Sequence, residues 1–98
     1  MFKELDPLLQ NELRLKITSL LMSVEQADFN FLLEETGATR GNLSVQITKL
    51  KEKGYVKVEK RFKGNYPSTR CEMTAKGRAA FVAHFEALNS YLRRSEES

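Results

Sequence analysis

The sequence predicts one mainly α-helical domain that carries a single small β-hairpin. Three observations indicate this fold class: apolar residues recur at helical spacing in several segments, glycines follow two of them, and one segment of alternating apolar and charged residues precedes a turn cluster. The chain has 98 residues, the size of one ordinary domain. Hydrophobic residues make up 41% and charged residues 30%, which is a globular composition.

The first helix is predicted over about residues 6–22. Asp6 suits the N-cap, and Pro7 suits the first helical position because the N–H that proline lacks has no partner there. Two apolar stripes follow at helical spacing: Leu9, Leu13, Ile17 and Leu20 on one face, and Leu8, Leu15 and Met22 on another. A helix that is apolar on two faces is covered on two sides. The second cover is either the chain's own core or another subunit.

A short strand and two helices are predicted next. Residues 27–29 favour a strand, and Asn30 can cap a helix that ends at Gly37, since glycine accepts a left-handed backbone. Thr39 can cap a third helix, which runs from about residue 40 to Gly54. A short helix, a turn containing glycine and a longer helix are the parts of a helix-turn-helix.

A β-hairpin and a last helix complete the pattern. Residues 55–62 read as a strand, residues 63–68 as a turn, and residues 69–73 as the returning strand. Thr74 can cap a final helix. The predicted order is helix, short strand, helix, helix, hairpin and helix, which is a winged helix-turn-helix in a single domain of residues 1–98.

Charge is segregated along the chain. Residues 39–78 hold 11 lysines and arginines against three glutamates, a net charge of +8, whereas the other residues sum to −5. Such asymmetry is typical of chains that bind nucleic acid or a membrane surface. No apolar run approaches the roughly 18 residues that span a bilayer, and the N-terminal segment is charged where a secretory signal is apolar. With a single cysteine, these features predict a cytoplasmic protein with no membrane partner.

The third helix is predicted to have a narrow apolar stripe and a large polar surface. Leu43, Ile47 and Leu50 fall within about 60° of each other and would face the core. The remaining side chains are small, amide-bearing or cationic, and base edges in the major groove are read by such groups. The predicted contact residues on this helix are Thr39, Arg40, Asn42, Ser44, Val45, Gln46 and Lys49. An ordinary solvated helix face is the alternative interpretation.

The hairpin favours the DNA-binding interpretation, because its lysines and arginines outnumber its two glutamates. Phosphates are the ligands expected for such a cluster. The predicted contact residues in the hairpin are Lys60, Arg61, Lys63, Asn65 and Arg70.

Three segments carry a resemblance to a known family. They are LDPLLQNELRLKITSLL (residues 5–21), DFNFLLEETGATRGNLSVQITKLKEKGYV (28–56) and YPSTRCEMTAKGRAAF (66–81). In these segments the chain resembles small stand-alone winged-helix regulators related to the MarR and ArsR groups. The resemblance implies a dimeric DNA-binding transcription factor, with residues 39–49 in the major groove and residues 60–70 as the wing. Many relatives have a histidine where this chain has Gln46, so the preferred DNA sequence can differ.

The terminal helices, about residues 6–22 and 75–94, have more apolar residues than a core of this size needs. The surplus consists of Leu8, Leu15, Met22, Leu88, Tyr91 and Leu92. We expect these side chains to form a homodimer interface, and a monomer that buries them in its own core is the alternative.

The expected function is sequence-specific binding of double-stranded DNA by a homodimer, most often giving repression by excluding polymerase from a promoter. A winged-helix adaptor for protein partners is one alternative and would need an exposed apolar patch on the third helix or wing. An RNA-binding module is the other and would favour aromatic stacking surfaces. No separate effector domain fits in 98 residues. The sequence identifies no small-molecule effector.

An enzyme is not expected, because the sequence contains no nucleophile–base constellation and no phosphate-cradling glycine loop. One cysteine and one histidine cannot supply a usual structural zinc site, so neither a metal nor a cofactor is predicted. His84 is expected to lie at a boundary or interface. Cys71 is expected to be a small buried strand residue, and a thiol activated by neighbouring cations such as Arg70 is the alternative.

Overall fold

The structure is a computed structural model that describes residues 2–97, without the side chains of Lys63 and residues 94–97. Its four α-helices are α1 (Glu12–Met22), α2 (Phe29–Thr36), α3 (Arg40–Glu52) and α4 (Ala75–Glu97). Its three strands are β1 (Ala27–Asp28), β2 (Val56–Lys63) and β3 (Tyr66–Met73), and a one-turn 3-10 helix (Pro7–Gln10) precedes α1. The order of the elements confirms the predicted winged helix-turn-helix. Within the described residues, no helix is both long and apolar enough to cross a membrane.

The first helix is interrupted where the sequence predicts it to be continuous. Asp6 caps only the 3-10 helix, because Asn11 then adopts an extended conformation with φ −73° and ψ 128°. The Asn11 side chain accepts a hydrogen bond from the Arg14 backbone N–H at 2.9 Å, and this cap begins α1. A second capping residue inside the predicted helix therefore divides it in two.

The boundaries of α2 and α3 follow the predicted signals with one exception. Gly37 ends α2 with a φ of 70°, and Thr39 caps α3. The cap of α2 is Asp28 rather than Asn30, since the Asp28 carboxylate accepts a hydrogen bond from the Phe31 N–H at 2.8 Å. The helix therefore begins directly after the short strand.

The sheet has the strand order β1–β3–β2, and both pairs are antiparallel. Strands β2 and β3, which form the wing, pair along their full lengths from Val56 opposite Met73 to the last pair before the turn. The turn is only Gly64–Asn65, shorter than the predicted 63–68. Gly64 has a φ of 67°, and glycine suits the first position of tight two-residue hairpin turns. The wing is therefore a regular ribbon up to its tip.

The core lies between the first three helices and the base of the wing. Its largest fully buried side chains are Leu9, Ile17, Thr18, Leu21, Leu32, Leu43, Leu50 and Cys71. Three of the predicted interface residues, Leu8, Leu15 and Met22, are half-buried and pack against this core. On that side, α1 is covered in part by the chain itself.

The N-terminal segment lies along α4. The rings of Phe2 and Tyr91 stack with their centroids 4.5 Å apart. The backbone N–H of Asp6 donates to Nδ1 of His84 at 3.1 Å, and His84 is buried. His84 thus lies at the boundary between the N-terminal segment and α4, where a backbone group satisfies its ring nitrogen.

Tyr55 joins the end of α3 to the start of α4. Its backbone N–H donates to the Leu50 carbonyl at 2.9 Å, and its carbonyl accepts from the Thr74 N–H at 3.0 Å. Its hydroxyl donates to the Asp6 carboxylate at 2.5 Å. Burial, and next this hydrogen bond, raises the pKa of Tyr55 to about 12. Gly77 packs directly on this backbone, and a Cβ at that position would overlap the Tyr55 carbonyl oxygen.

We expect Gly77→Ala to lower the free energy of unfolding by about 1–3 kcal/mol, the usual cost of overpacking. The added methyl group can fit only if the Tyr55 backbone shifts. Urea denaturation followed by circular dichroism measures the change. Gly41→Ala is the matched control, because Gly41 is also helical and an added Cβ there meets nothing within 4 Å. Equal effects of the two substitutions would contradict the close contact.

Candidate nucleic-acid interface

Helix α3 buries one stripe and exposes the rest of its surface. The buried stripe consists of Leu43, Gln46, Ile47 and Leu50. The exposed predicted contact residues are Thr39, Arg40, Asn42, Ser44, Val45 and Lys49. Thr39 also serves the helix, because its hydroxyl accepts a hydrogen bond from the Asn42 backbone N–H at 3.2 Å. Six of the seven predicted residues therefore have the predicted exposure.

Gln46 is the exception, and its predicted place on the wet side of α3 is wrong, since it is only 8% exposed. At about 100° per residue it lies about 40° from Leu50, inside the buried sector. Its Oε1 accepts from Nη1 of Arg14 at 2.5 Å, and its Nε2 donates to Oδ1 of Asn42 at 3.1 Å. Gln46 therefore makes its contacts within the protein.

A groove of about 530 Å³ separates α3 from one face of the wing, and we call it the α3–wing groove. Its lining combines the apolar Phe29, Ile47 and Val58 with the polar Arg40, Ser44, Thr48, Lys51, Lys60 and Thr69. Among the side chains that the structure describes, none of the three cations in this groove forms an ion pair. The groove therefore offers unpaired cations and hydroxyl groups to an anionic ligand.

Arg40 is the most constrained cation of the α3–wing groove. Its guanidinium carbon lies 5.8 Å from the centroid of the Phe29 ring. Its Nη2 also donates to Oδ1 of Asn30 at 3.3 Å. Contacts to α2 therefore hold the guanidinium beside the N-terminus of α3, a position suited to a phosphate.

The wing distributes its cations over two faces, because side chains alternate along a strand. Lys60 lines the α3–wing groove, whereas Lys57 and Arg61 lie on the opposite face. There Glu59 binds Arg61 at 2.8 Å and Lys57 at 3.3 Å. The hydrogen bond from Arg61, and next that from Lys57, lowers the pKa of Glu59. Arg61 is thus already paired, although the sequence predicts it as a phosphate contact.

The other predicted wing residues differ in their surroundings. Arg70 is half-buried, and its Nη1 donates to Oε1 of Gln26 at 3.5 Å. Asn65 is exposed in the turn. The side chain of Lys63 lies outside the described residues. The tip is flanked by Phe62 and Tyr66, which are 78% and 79% exposed.

Sequence reasoning missed Lys51, Thr69 and Arg14. Lys51 could have been found, because it lies on the same helical face as Arg40 and Ser44. Thr69 and Arg14 carry no such signal, since only tertiary packing brings β3 and α1 beside α3.

Helix α4 exposes a stripe of large apolar side chains, which we call the α4 stripe. It consists of Val82, Phe85, Leu88, Tyr91 and Leu92. Three of these are predicted interface residues, and Val82 and Phe85 extend the set toward the start of the helix. An apolar stripe on one helix is typical of a surface that packs against another chain.

Cys71 lies on β3 in the core and is 1% exposed. Burial raises the pKa of its thiol to about 11. The neighbouring cations therefore do not activate this thiol, and the expectation of a small buried strand residue is confirmed.

Comparison with known proteins gives matches by sequence and by structure. Residues 13–92 match the family model described as "Winged helix DNA-binding domain". The chain is 40% identical over 68 residues to the uncharacterized protein MJ0432 of Methanocaldococcus jannaschii, an alignment that covers 69% of this chain and 74% of that protein.

Two solved structures are similar to this fold. The transcriptional regulator homologue protein from Pyrococcus horikoshii OT3 matches with a TM-score of 0.82 and 28% identity, over 88% of this chain and 85% of that chain. A transcriptional regulator of the MarR family from Silicibacter pomeroyi matches with a TM-score of 0.68 and 18% identity, over 87% of this chain and 56% of that chain.

We expect Cys71 to be inert toward a thiol reagent in the folded protein near pH 7.5. A pKa raised to about 11 leaves the thiol protonated there, with a thiolate fraction on the order of one in a few thousand. The release of a coloured thiolate from a disulfide reagent measures the reaction. In denaturing urea the same thiol should react quickly, because its pKa returns to about 8.5. Rapid labelling of the folded protein would show that burial does not protect this thiol.

Proposed function

Because this chain belongs to the family of winged helix DNA-binding domains, we propose that it is a sequence-specific transcriptional regulator that binds double-stranded DNA. In this proposal α3 enters the major groove, which admits a helix and presents distinct base edges. The exposed amide, hydroxyl and cationic side chains of α3 have the chemistry that such edges require. The observation that carries the proposal is the α3–wing groove beside this helix.

The α3–wing groove supports DNA binding through its charge and its position. Its three cations, Arg40, Lys51 and Lys60, come from the two elements that would flank a DNA strand. Because they have no carboxylate partner among the described side chains, phosphate binding would not require an ion pair to be broken first. Hydroxyl groups between them can donate further hydrogen bonds to phosphate oxygens.

We also propose that the regulator acts as a homodimer and as a repressor, by covering a promoter against polymerase. The α4 stripe supports the dimer, because a second copy would cover its exposed apolar side chains. A two-fold dimer would present two copies of α3 to successive major grooves. The operator would then be an inverted repeat with half-sites about one or two helical turns apart.

RNA binding is the second candidate, because Phe62 and Tyr66 are exposed rings at the wing tip. The strand register places them on opposite faces, since Phe62 pairs with Pro67 and Tyr66 pairs with Lys63. Two rings on opposite faces do not form one stacking platform. Competition of bound duplex DNA with single-stranded RNA distinguishes the two functions, and displacement by equal amounts of RNA would favour the second.

We expect affinity for duplex DNA to fall steeply with salt. Six to ten phosphate contacts per dimer would give a log–log slope of about −5 to −9. Lys51→Ala and Lys60→Ala should each make the slope less negative by about one per protomer, because each removes one phosphate contact. Fluorescence anisotropy at several salt concentrations measures these slopes.

Lys57→Ala is the matched control for the salt experiment. It also removes a wing lysine, but Lys57 lies on the opposite face, bound to Glu59 at 3.3 Å and to Glu72 at 3.8 Å. We expect a much smaller change in slope. A flat salt dependence in the wild type would contradict phosphate binding, and equal effects of Lys57→Ala and Lys60→Ala would contradict the role of the groove.

We expect Phe85→Glu combined with Leu92→Glu to convert a dimer into a folded monomer, since it places charges in the α4 stripe. Light scattering should give about twice 11.3 kDa for the wild type and about 11.3 kDa for the variant. Phe31→Glu, at a ring that is 40% exposed on α2, is the control and should leave the mass unchanged. A wild type that scatters as a monomer at high concentration rules out the homodimer.

A further inference from the structure

A chain of hydrogen bonds runs from α1 to the exposed surface of α3. Nε of Arg14 donates to the Leu8 carbonyl at 2.6 Å, and its Nη1 donates to Oε1 of Gln46 at 2.5 Å. Nε2 of Gln46 then donates to Oδ1 of Asn42 at 3.1 Å. Arg14 is half-buried, Gln46 is buried and Asn42 is exposed, so these hydrogen bonds pass through a buried side chain and end at the surface that would face DNA.

Donor and acceptor chemistry allows this series of hydrogen bonds only one direction. A guanidinium group can donate hydrogen bonds but cannot accept them. Gln46 must therefore turn its carbonyl oxygen toward Arg14, which leaves its amide NH₂ for Asn42. Asn42 accepts through Oδ1, so its own NH₂ group is turned away from Gln46. Arg14 thus determines the direction of every hydrogen bond in the series, as far as the exposed Asn42.

We propose that Arg14 and Gln46 are specificity-determining positioning residues that present Asn42 to a base as a hydrogen-bond donor, with guanine as the preferred base. This inference rests on the proposed function, in which α3 enters the major groove. Guanine presents two acceptors there, N7 and O6. Adenine presents the acceptor N7 beside the N6 amino donor. An asparagine that binds both groups must turn its carbonyl oxygen as well as its NH₂ to the base, whereas Asn42 turns its oxygen to Gln46.

The burial of Gln46 is what makes the orientation of Asn42 stable. If Asn42 turned its carbonyl oxygen outward, the Nε2 group of Gln46 would lose its acceptor, and an unpaired buried donor is unfavourable. Gln46 cannot turn in compensation, because its NH₂ would then face the donors of Arg14. Arg14 on α1 therefore determines, through Gln46, that Asn42 on α3 presents a hydrogen-bond donor.

Gln46→Glu tests the proposal, because it exchanges the donor and acceptor in the hydrogen bond to Asn42 while the side chain keeps nearly the same shape. The carboxylate still accepts from Arg14 but cannot donate to Asn42. Asn42 would then turn its NH₂ inward and present its carbonyl oxygen to the base. Selection from a random duplex pool, with wild type and variant in parallel, reads the preferred base. The operator position that belongs to Asn42 is the one whose preference is lost with Asn42→Ala.

At that position the wild type should select guanine, and Gln46→Glu should select cytosine or adenine, whose amino groups donate in the major groove. We expect a change in relative preference of about tenfold or more, the size of one good base contact. Arg14→Gln is a second variant, because glutamine can donate or accept and no longer fixes the direction. It should reduce the preference for guanine over adenine. Thermal melting checks that Gln46→Glu and Arg14→Gln both fold.

Gln26→Glu is the matched control. Gln26 is also bonded by an arginine, Arg70, so the substitution adds the same charge beside the same kind of partner. It should keep the base preference of the wild type, even if the added charge lowers affinity for all sequences equally. If this control changed the preferred base as Gln46→Glu does, the added charge, and not the hydrogen-bond chain, would set the base preference. That result would overturn the proposal.

Two further outcomes overturn the proposal. One is the same preferred base in the wild type and in Gln46→Glu. The other is a wild-type preference for adenine that is lost with Asn42→Ala, because that contact would require the carbonyl oxygen of Asn42. If either occurs while duplex binding keeps its steep salt dependence, the proposed DNA-binding function stands and only this inference fails. If the wild type selects no duplex at all, both fail together.

Discussion

The close contact between Gly77 and the Tyr55 backbone is the constraint on which the arrangement of the helices depends. It brings the start of α4 against Tyr55, shortly after the end of α3, and the Thr74 N–H bond to the Tyr55 carbonyl holds it there. The Tyr55 hydroxyl extends the same connection to Asp6 in the N-terminal segment. Because α4 carries the exposed apolar stripe, this contact would, in the proposed homodimer, also fix how far α3 lies from the second copy of the chain.

Helix α3 meets two demands with one sequence, since it must anchor to the core and present polar groups outward. Three aliphatic side chains supply the anchor, and the fourth buried position is Gln46. A buried amide is stabilising only when its hydrogen bonds are made, and Arg14 and Asn42 make them. An aliphatic side chain would fill the same space without partners, but it could not orient Asn42. The polar choice is consistent with a role at the surface of the helix.

Much of this fold could be predicted from local signals, because caps, glycines and alternating residues act over a few positions. Gly37, Thr39 and Thr74 mark the helix boundaries as predicted. The break at Asn11 could not be predicted from sequence, since Asp6 and Asn11 are both good N-cap residues within one apolar pattern. In the candidate site, the exposed residues of α3 were predictable by helical spacing. Helical spacing also places Gln46 beside the buried sector, about 40° from Leu50, whereas its hydrogen bond to Arg14, 32 residues away, has no local signal.

The count of 11 lysines and arginines in residues 39–78 overstates the number of cations available to a nucleic acid, because two of them already form ion pairs within the wing. Lys57 and Arg61 are paired with glutamates, whereas the cations of the α3–wing groove are not paired among the described side chains. Helical spacing puts Arg40 and Lys51 on the side of α3 that faces the wing, and Asn42 and Gln46 on the side that faces α1. In the proposed complex, backbone contacts and base selection would therefore come from opposite sides of one helix. Affinity and specificity could then change independently, through substitutions on different neighbouring elements.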